Sequence, residues 1–320
     1  MTDLETIDLE ILKAADRIAP YVRRTPFDRE PYFSKTCGCD VFFKLENLQV
    51  SGSFKVRGAA NAALALSEDD RAKGCVTTSW GNHGAGLAYA LNKVGGRGIV
   101  YLPEDIDPDR IENIELLGAE VVAQGTDELE IDERARSQAM RDGMTFISPY
   151  NDRQVVCGQG TIAVEMLDQR PDLDVILAAV GGGGLMSGLA LHAKATNPDI
   201  EVIGCLPENS PIMAKCVEQG FVSELPYSTT LSDGTVGNIE QDTITFEFCR
   251  DYVDDFLLVS EDEIASAMKA FITRTHMLLE GASGVPLAAL LKNKERFKGK
   301  KVGVVICGAN VSLETLKSIS

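Results

Sequence analysis

Short apolar runs rich in β-branched residues alternate along this chain with stretches whose apolar positions recur at helical spacing. The runs predict strands at Val41–Leu45, Cys75–Thr78, Arg97–Leu102, Glu120–Ala123, Val175–Val180, Glu201–Leu206, Phe256–Val259 and Lys301–Cys307. The helical spacing predicts helices at Asn82–Val94, Pro108–Leu117, Glu128–Arg141, Gln159–Gln169 and Glu261–Met277. Such alternation points to an α/β fold with parallel sheets, because a parallel neighbour is reached only through a long crossover. The run Val175-Ile176-Leu177-Ala178-Ala179-Val180 has no polar face, as a strand covered on both sides requires. The N-terminal segment is amphipathic, with Leu9, Ile11, Leu12 and Ala15 as its expected apolar stripe. Residues 72–148 are expected to form a small four-stranded α/β domain, and residues 1–71 with 149–320 a larger one.

Composition narrows the function classes. The chain of 320 residues suits one large or two medium domains, and its formal net charge of −17 speaks against nucleic acid or an anionic membrane as partner. No apolar run approaches the roughly 20 residues that span a bilayer. The N-terminus lacks the basic region and continuous apolar stretch of a signal peptide. The eight cysteines are scattered, and only Cys37 and Cys39 lie close together. No second pair completes a zinc site, so no metal is expected, and reduced thiols suit a cytoplasmic protein.

Four segments carry candidate chemistry. In Ser51-Gly52-Ser53-Phe54-Lys55-Val56-Arg57-Gly58 a lysine stands between an aromatic residue and a helical run. Partial desolvation there disfavours the ammonium and leaves an amine able to form a Schiff base with an aldehyde. Ser79-Trp80-Gly81-Asn82-His83-Gly84 joins a strand to a helix, where unpaired N–H groups suit a carboxylate. Gly181-Gly182-Gly183-Gly184 follows the buried strand, and four glycines before a helix let the backbone wrap a phosphate. They are not a dinucleotide fingerprint: in either register the third glycine is replaced, by Met186 or by Ser187. Cys307-Gly308-Ala309-Asn310 closes the last strand, whose carboxyl end can reach a cleft.

An amine nucleophile, a phosphate cup, a carboxylate turn and a polar strand end describe one ligand set. The chain resembles the fold type II pyridoxal-phosphate enzymes, specifically the serine/threonine dehydratase (ammonia-lyase) and serine racemase group. Further motifs in family order are Lys44-Leu45-Glu46-Asn47-Leu48-Gln49, Gly158-Gln159-Gly160-Thr161-Ile162-Ala163, Ser232-Asp233-Gly234-Thr235 and Glu280-Gly281-Ala282-Ser283-Gly284. The resemblance implies two open, twisted, mostly parallel sheets with helices on both faces and pyridoxal 5'-phosphate in the cleft between domains. It implies Lys55 as the catalytic lysine bonded to the cofactor, with Phe54 beside the ring, Asn82 on its 3′-oxygen and Gly181, Gly182, Gly183 and Gly184 around the phosphate. Gly234 and Glu280 would line the cleft, Cys307 would face the pyridine nitrogen, and Ser79, Trp80, Asn82 and His83 would hold the substrate. A neutral thiol at Cys307 should leave that nitrogen largely unprotonated, favouring prompt loss of a β-substituent.

The activity implied is α,β-elimination of a β-hydroxy α-amino acid such as L-serine or L-threonine to a 2-oxo acid and ammonia. Alternatives are a 3-hydroxyaspartate or phenylserine dehydratase, with Arg153 or His83 available to a second carboxylate, and a serine racemase-like enzyme. A β-replacement synthase and a non-catalytic cofactor-binding protein are less consistent with the motifs. Two departures stand out. Trp80, the single tryptophan, replaces the serine that racemases use as an acid/base. Leu206 and Ile212 occupy positions where cation-activated members carry acids, so neither offers an oxygen to a metal. The chain ends soon after Asn310, so no amino-acid-binding regulatory domain is expected, and the resemblance implies a homodimer or homotetramer.

Overall fold

The computed structural model describes residues 3–126 and 128–319. Residues 1, 2, 127 and 320, which the predicted domain ranges include, lie outside the described residues. In chain order the strands are β1 (Phe27–Arg29), β2 (Asp40–Leu45), β3 (Cys75–Thr78), β4 (Gly98–Leu102), β5 (Glu120–Ala123), β6 (Thr145–Phe146), β7 (Val175–Ala179), β8 (Glu201–Pro207), β9 (Asp255–Val259) and β10 (Lys301–Ile306). They form a six-stranded sheet, ordered β1-β2-β10-β7-β8-β9, and a four-stranded sheet, ordered β5-β4-β3-β6. Every pairing is parallel except β1 with β2.

The apolar run of β7 explains its central place. Successive side chains point to opposite faces, so Val175 and Leu177 enter one hydrophobic core while Ile176 and Ala178 enter the other. Both faces are dry, and full burial of each aliphatic side chain contributes about 1.5–3 kcal/mol. The helix Arg153–Gln169 packs against the helices Lys55–Ala65 and Gly184–Thr196. A Cβ at Gly158 would stand 2.5 Å from the Arg57 carbonyl, and one at Gly160 would stand 3.0 Å from that of Gly188. These glycines permit close backbone approach, the reason they sit inside a helix despite their entropic cost.

Several expectations change. The apolar stripe of the helix Asp3–Ile18 is Ile7, Ile11, Ala14 and Ile18, whereas Leu9 and Leu12 remain 44% and 39% exposed. The buried set repeats at i, i+4, i+7 and i+11; Ile7, Ile11 and Ala14 face Val156, Cys157 and Leu191, and Ile18 faces Ala60 and Ala90, so packing on the helices beneath selects it. The predicted helix Gln159–Gln169 begins at Arg153, because Asp152 accepts hydrogen bonds from the amides of Gln154 and Val155. Strand ends shift by a residue, and β1 and β6 escaped prediction because they are only three and two residues long. Among the described residues, no helix is long and apolar enough to cross a membrane.

Candidate active site

Lys55 opens the helix Lys55–Ala65 directly after Phe54. Its Nζ donates to the Pro149 carbonyl at 2.9 Å and lies 5.4 Å from the Phe54 ring centroid. Lys55 keeps some surface toward the cleft, yet enough protein surrounds the ammonium that desolvation brings its pKa down to about 8. Glu280 and Cys307 pull the other way. Two residues along, the buried guanidinium of Arg57 meets Glu46 at 2.7 Å and Glu165 at 2.7 Å. Lys44, also buried, pairs with Glu165 and donates to the Thr25 carbonyl. This quartet clamps the first turn of the lysine helix to β2 and to the helix Arg153–Gln169, and explains the charged half of the Lys44–Gln49 motif.

The glycine segment leaves β7 and enters the helix Gly184–Thr196, whose N-cap is Gly183 with φ +86° and no side-chain cap. A Cβ on Gly182 would fall 2.4 Å from Tyr150 Cγ, and one on Gly181 2.9 Å from Thr235 Cα. No side chain but hydrogen fits at either position, and the first amides of that helix stay open to an anion. Thr245 Oγ1 donates to the Gly182 carbonyl at 2.6 Å, and the Tyr150 hydroxyl accepts from the Glu240 amide at 2.9 Å, fixing the cup from behind.

Cys307 follows β10, which lies beside both β7 and β2, so cup, lysine loop and thiol leave neighbouring strands. The Phe54 amide donates to the Cys307 carbonyl and the Ala309 amide to the Gly52 carbonyl, each at 2.9 Å. The Cys307 thiol lies 3.3 Å from Ser283 Oγ and 3.6 Å from Glu280 Oε1. Burial, then the Glu280 charge, holds it well above the usual thiol range, so it is neutral. Glu280 is itself buried, and desolvation pushes its carboxyl up to about 7 against the opposing hydrogen bond from Asn82.

The turn after β3 supplies Asn82. That turn sits where the strand order of the four-stranded sheet reverses, between β3 and β6, the usual ligand position in open α/β sheets. Asn82 Nδ2 donates to both Glu280 oxygens, at 3.1 and 2.9 Å, so the turn after β3 is joined to the start of the helix Gly281–Lys292. Ser79 Oγ accepts from the amides of Gly81 and Gly84 at 3.1 and 2.8 Å, which makes it a brace of the turn. His83 is 2% exposed, and among the described residues neither ring nitrogen has a partner at full hydrogen-bond geometry. Burial and the nearby Lys55 push it down to about 3, outweighing the adjacent Ile147 backbone, so it is neutral.

The structure therefore brings together Phe54, Lys55, Asn82, Glu280 and Cys307. Gly234 stands apart: it is exposed, a Cβ there would meet nothing within 4 Å, and its neighbours Asp233 and Thr235 make the local contacts. Trp80 is 37% exposed, and its carbonyl accepts from Arg110 Nη1 at 2.8 Å while Arg110 Nη2 pairs with Asp233 at 2.8 Å. Arg110 thus bridges the carboxylate turn and the segment beside the cup, a role that a half-buried helix-start arginine does not advertise in sequence. Arg153 is occupied by Glu10 at 2.7 and 3.1 Å rather than free for a second carboxylate. Leu206 and Ile212 are buried apolar residues, and Glu208 pairs with Lys292 at 3.2 Å. Among the described residues, no three His, Cys, Asp or Glu side chains gather as a metal site.

The site fits pyridoxal phosphate on its own terms. It offers an amine of lowered pKa, a cup that any Cβ would fill and, among the described residues, buried Ser53 Oγ and His83 nitrogens without well-formed hydrogen bonds. Fold and site together define an α/β enzyme with a phosphate-bearing aldehyde cofactor held between two sheets. The chain belongs to the pyridoxal-phosphate dependent enzyme family, whose model matches residues 18–308. It is 38% identical to an L-threonine ammonia-lyase of Thermotoga maritima, over 98% of this chain and 78% of the relative. It is 34% identical to a beta-hydroxyaspartate dehydratase of Paracoccus denitrificans, over 96% and 97%. Among solved structures, maize serine racemase superimposes with a TM-score of 0.92 at 33% identity, covering 97% of this chain and 95% of that one.

Proposed function

We propose that this protein is a pyridoxal-phosphate-dependent ammonia-lyase that eliminates water from a β-hydroxy α-amino acid, L-serine or L-threonine first, giving a 2-oxo acid and ammonia. The observation that carries the reading is Lys55, an amine with its pKa brought down to about 8, beside an open glycine cup and a neutral thiol. When bound, the cofactor supplies an aldehyde for the substrate amine and an electron sink for the Cα–H bond. Lys55 Nζ takes the Cα proton as general base, its lowered pKa placing free amine near neutral pH. The first amides of the helix Gly184–Thr196 hold the phosphate, and the amides of Asn82 and His83, in the turn that Ser79 braces, hold the substrate carboxylate. Phe54 would flank the ring, Asn82 would donate to its 3′-oxygen, and Glu280 would border the cleft. Cys307, neutral, places no charge opposite the pyridine nitrogen. Trp80 and His83 border the substrate, and the Trp80 indole, a very weak acid and no base, cannot act as a racemase acid/base.

Residues 1–71 with 149–320 form the large domain and 72–148 the small one, a division supported by the separate sheets. The eight free, buried thiols favour a cytoplasmic setting, and a homodimer or homotetramer is the assembly. No metal is required at the Leu206–Ile212 segment, whose two end residues are apolar. The experiment loads the purified chain with pyridoxal phosphate and compares kcat/KM for ammonia release from L-serine, L-threonine, 3-hydroxyaspartate and phenylserine. Serine or threonine should lead, and Lys55→Ala should abolish release. Release from none of the four, or release that survives in Lys55→Ala, refutes the assignment.

A further inference from the structure

We propose that Asn310 is a positioning residue that sets the direction of the Asn82 side-chain amide, turning its NH2 group toward Glu280 and the cofactor side of the cleft. The inference deepens the proposed function and rests on it. A carboxamide has a donor end and an acceptor end of nearly the same shape, so only its partners decide which way it points. A chain of hydrogen bonds decides it here. The Ser51 carbonyl can only accept, and Asn310 Nδ2 lies 3.5 Å from it. The same Nδ2 donates to Asn82 Oδ1. With its oxygen taken, Asn82 presents Nδ2 to the Glu280 carboxylate at 2.9 and 3.1 Å.

Two further contacts bind Asn310 to this task. Its backbone amide donates to Glu280 Oε2 at 3.3 Å, so one residue touches both members of the pair it orients. Gly52, three residues before the catalytic lysine, has φ +76°, and a Cβ there would stand 2.8 Å from Asn310 Oδ1. The lysine loop thus leaves a slot that the Asn310 side chain occupies. Asn310 thereby couples the loop bearing Lys55 and the turn bearing Asn82, with Ser51 and Asn82 259 and 228 positions from it along the chain, to Glu280. With the Asn82 amide reversed, its oxygen would face the Glu280 carboxylate and the ring oxygen that Asn82 is proposed to serve. Two acceptors would then oppose each other in a buried site, an arrangement as unfavourable as a lost hydrogen bond.

Asn310→Asp keeps the shape but replaces the donor with an acceptor, and Asn310→Ala removes the side chain. Each is made in the natural protein and in Asn82→Ala, with pyridoxal phosphate affinity read by equilibrium titration. The visible absorption of the loaded protein is followed against pH. Asn310→Asp should weaken cofactor binding about tenfold, the worth of one misdirected hydrogen bond, and shift the absorption pH profile, with a smaller effect for Asn310→Ala. In Asn82→Ala neither change should weaken binding further, because Asn310 acts through Asn82. A natural affinity and profile in Asn310→Asp, or an equal loss in Asn82→Ala, overturns the positioning role. If the natural protein takes up no pyridoxal phosphate, the proposed function falls first and this inference with it.

Discussion

The lowered pKa of Lys55 predicts how fast the protein captures its cofactor as pH changes. In the cofactor-free protein the attacking species is the free amine. At pH 7 an amine titrating at about 8 is free in roughly one molecule in ten, against about three in ten thousand at the ordinary 10.5. Burial therefore raises the reactive population about 300-fold. The assay is a stopped-flow series of pyridoxal phosphate capture from pH 6 to 11. The rate should rise with pH and level off above about 8. Glu280→Gln supplies the sign test, because the Glu280 carboxylate favours the ammonium and its removal should move the midpoint downward. A midpoint near 10.5 would refute the desolvation argument. A midpoint that stays fixed in Glu280→Gln would refute the electrostatic one.

Gly182→Ala places a methyl 2.4 Å from Tyr150 Cγ, so the cup must deform; pyridoxal phosphate affinity should fall at least about tenfold by equilibrium titration, and an unchanged affinity would show that the cup yields without cost. Glu280 titrates at about 7 when folded against 4.5 when unfolded, so its contribution to stability is complete below about 4.5 and lost as pH rises through 7. That contribution is roughly 3 kcal/mol, and urea unfolding of the cofactor-free protein should show a fall between pH 5 and 8 that Glu280→Gln lacks. Arg57→Met strands the fully buried Glu46 and leaves Glu165 to Lys44 alone, and urea unfolding should report a loss of about 3–5 kcal/mol, a loss under about 1 kcal/mol counting against the clamp. The natural enzyme should give no appreciable D-serine from L-serine, while Trp80→Ser gains some; appreciable racemisation by the natural enzyme would contradict the role assigned to Trp80.

The chemistry was legible wherever one residue type at one kind of junction can do one thing. Lys55, the glycine cup and Cys307 all lie at loops following strands that periodicity located to within a residue. The apolar run of β7 announced its two dry faces. What stayed hidden depends on partners remote in sequence. Which side of the helix Asp3–Ile18 is buried follows from the helices beneath it, which is why Leu9 and Leu12 misled. Gly158 fell just outside the predicted helix Gln159–Gln169, although it and Gly160 are helix contacts. Arg110 matters through Asp233, and Asn310 through Asn82, pairs more than a hundred positions apart. Arg153 was legible only as a charge, and nothing local tells that Glu10 takes it.

The electrostatics of the cleft follow from one cause acting on opposite charges. Burial disfavours both an ammonium and a carboxylate, so it lowers Lys55 to about 8 and raises Glu280 to about 7. Glu280 works against the shift of Lys55 by its negative charge, and hydrogen bonds from Asn82, the Asn310 amide and Cys307 work against the shift of Glu280, so neither reaches full neutrality. Around neutral pH the protein thus holds a partly ionised base and a partly ionised acid in one dry cleft, without a fixed counter-ion for either. His83 and Cys307 accentuate this, since burial keeps both neutral and leaves the charge to the other two. A lysine paired tightly with a carboxylate would be a stable ammonium and a poor base. Glu280 instead spends its oxygens on Asn82 and the Asn310 amide, a polar network that keeps the carboxylate buried without locking it onto the lysine.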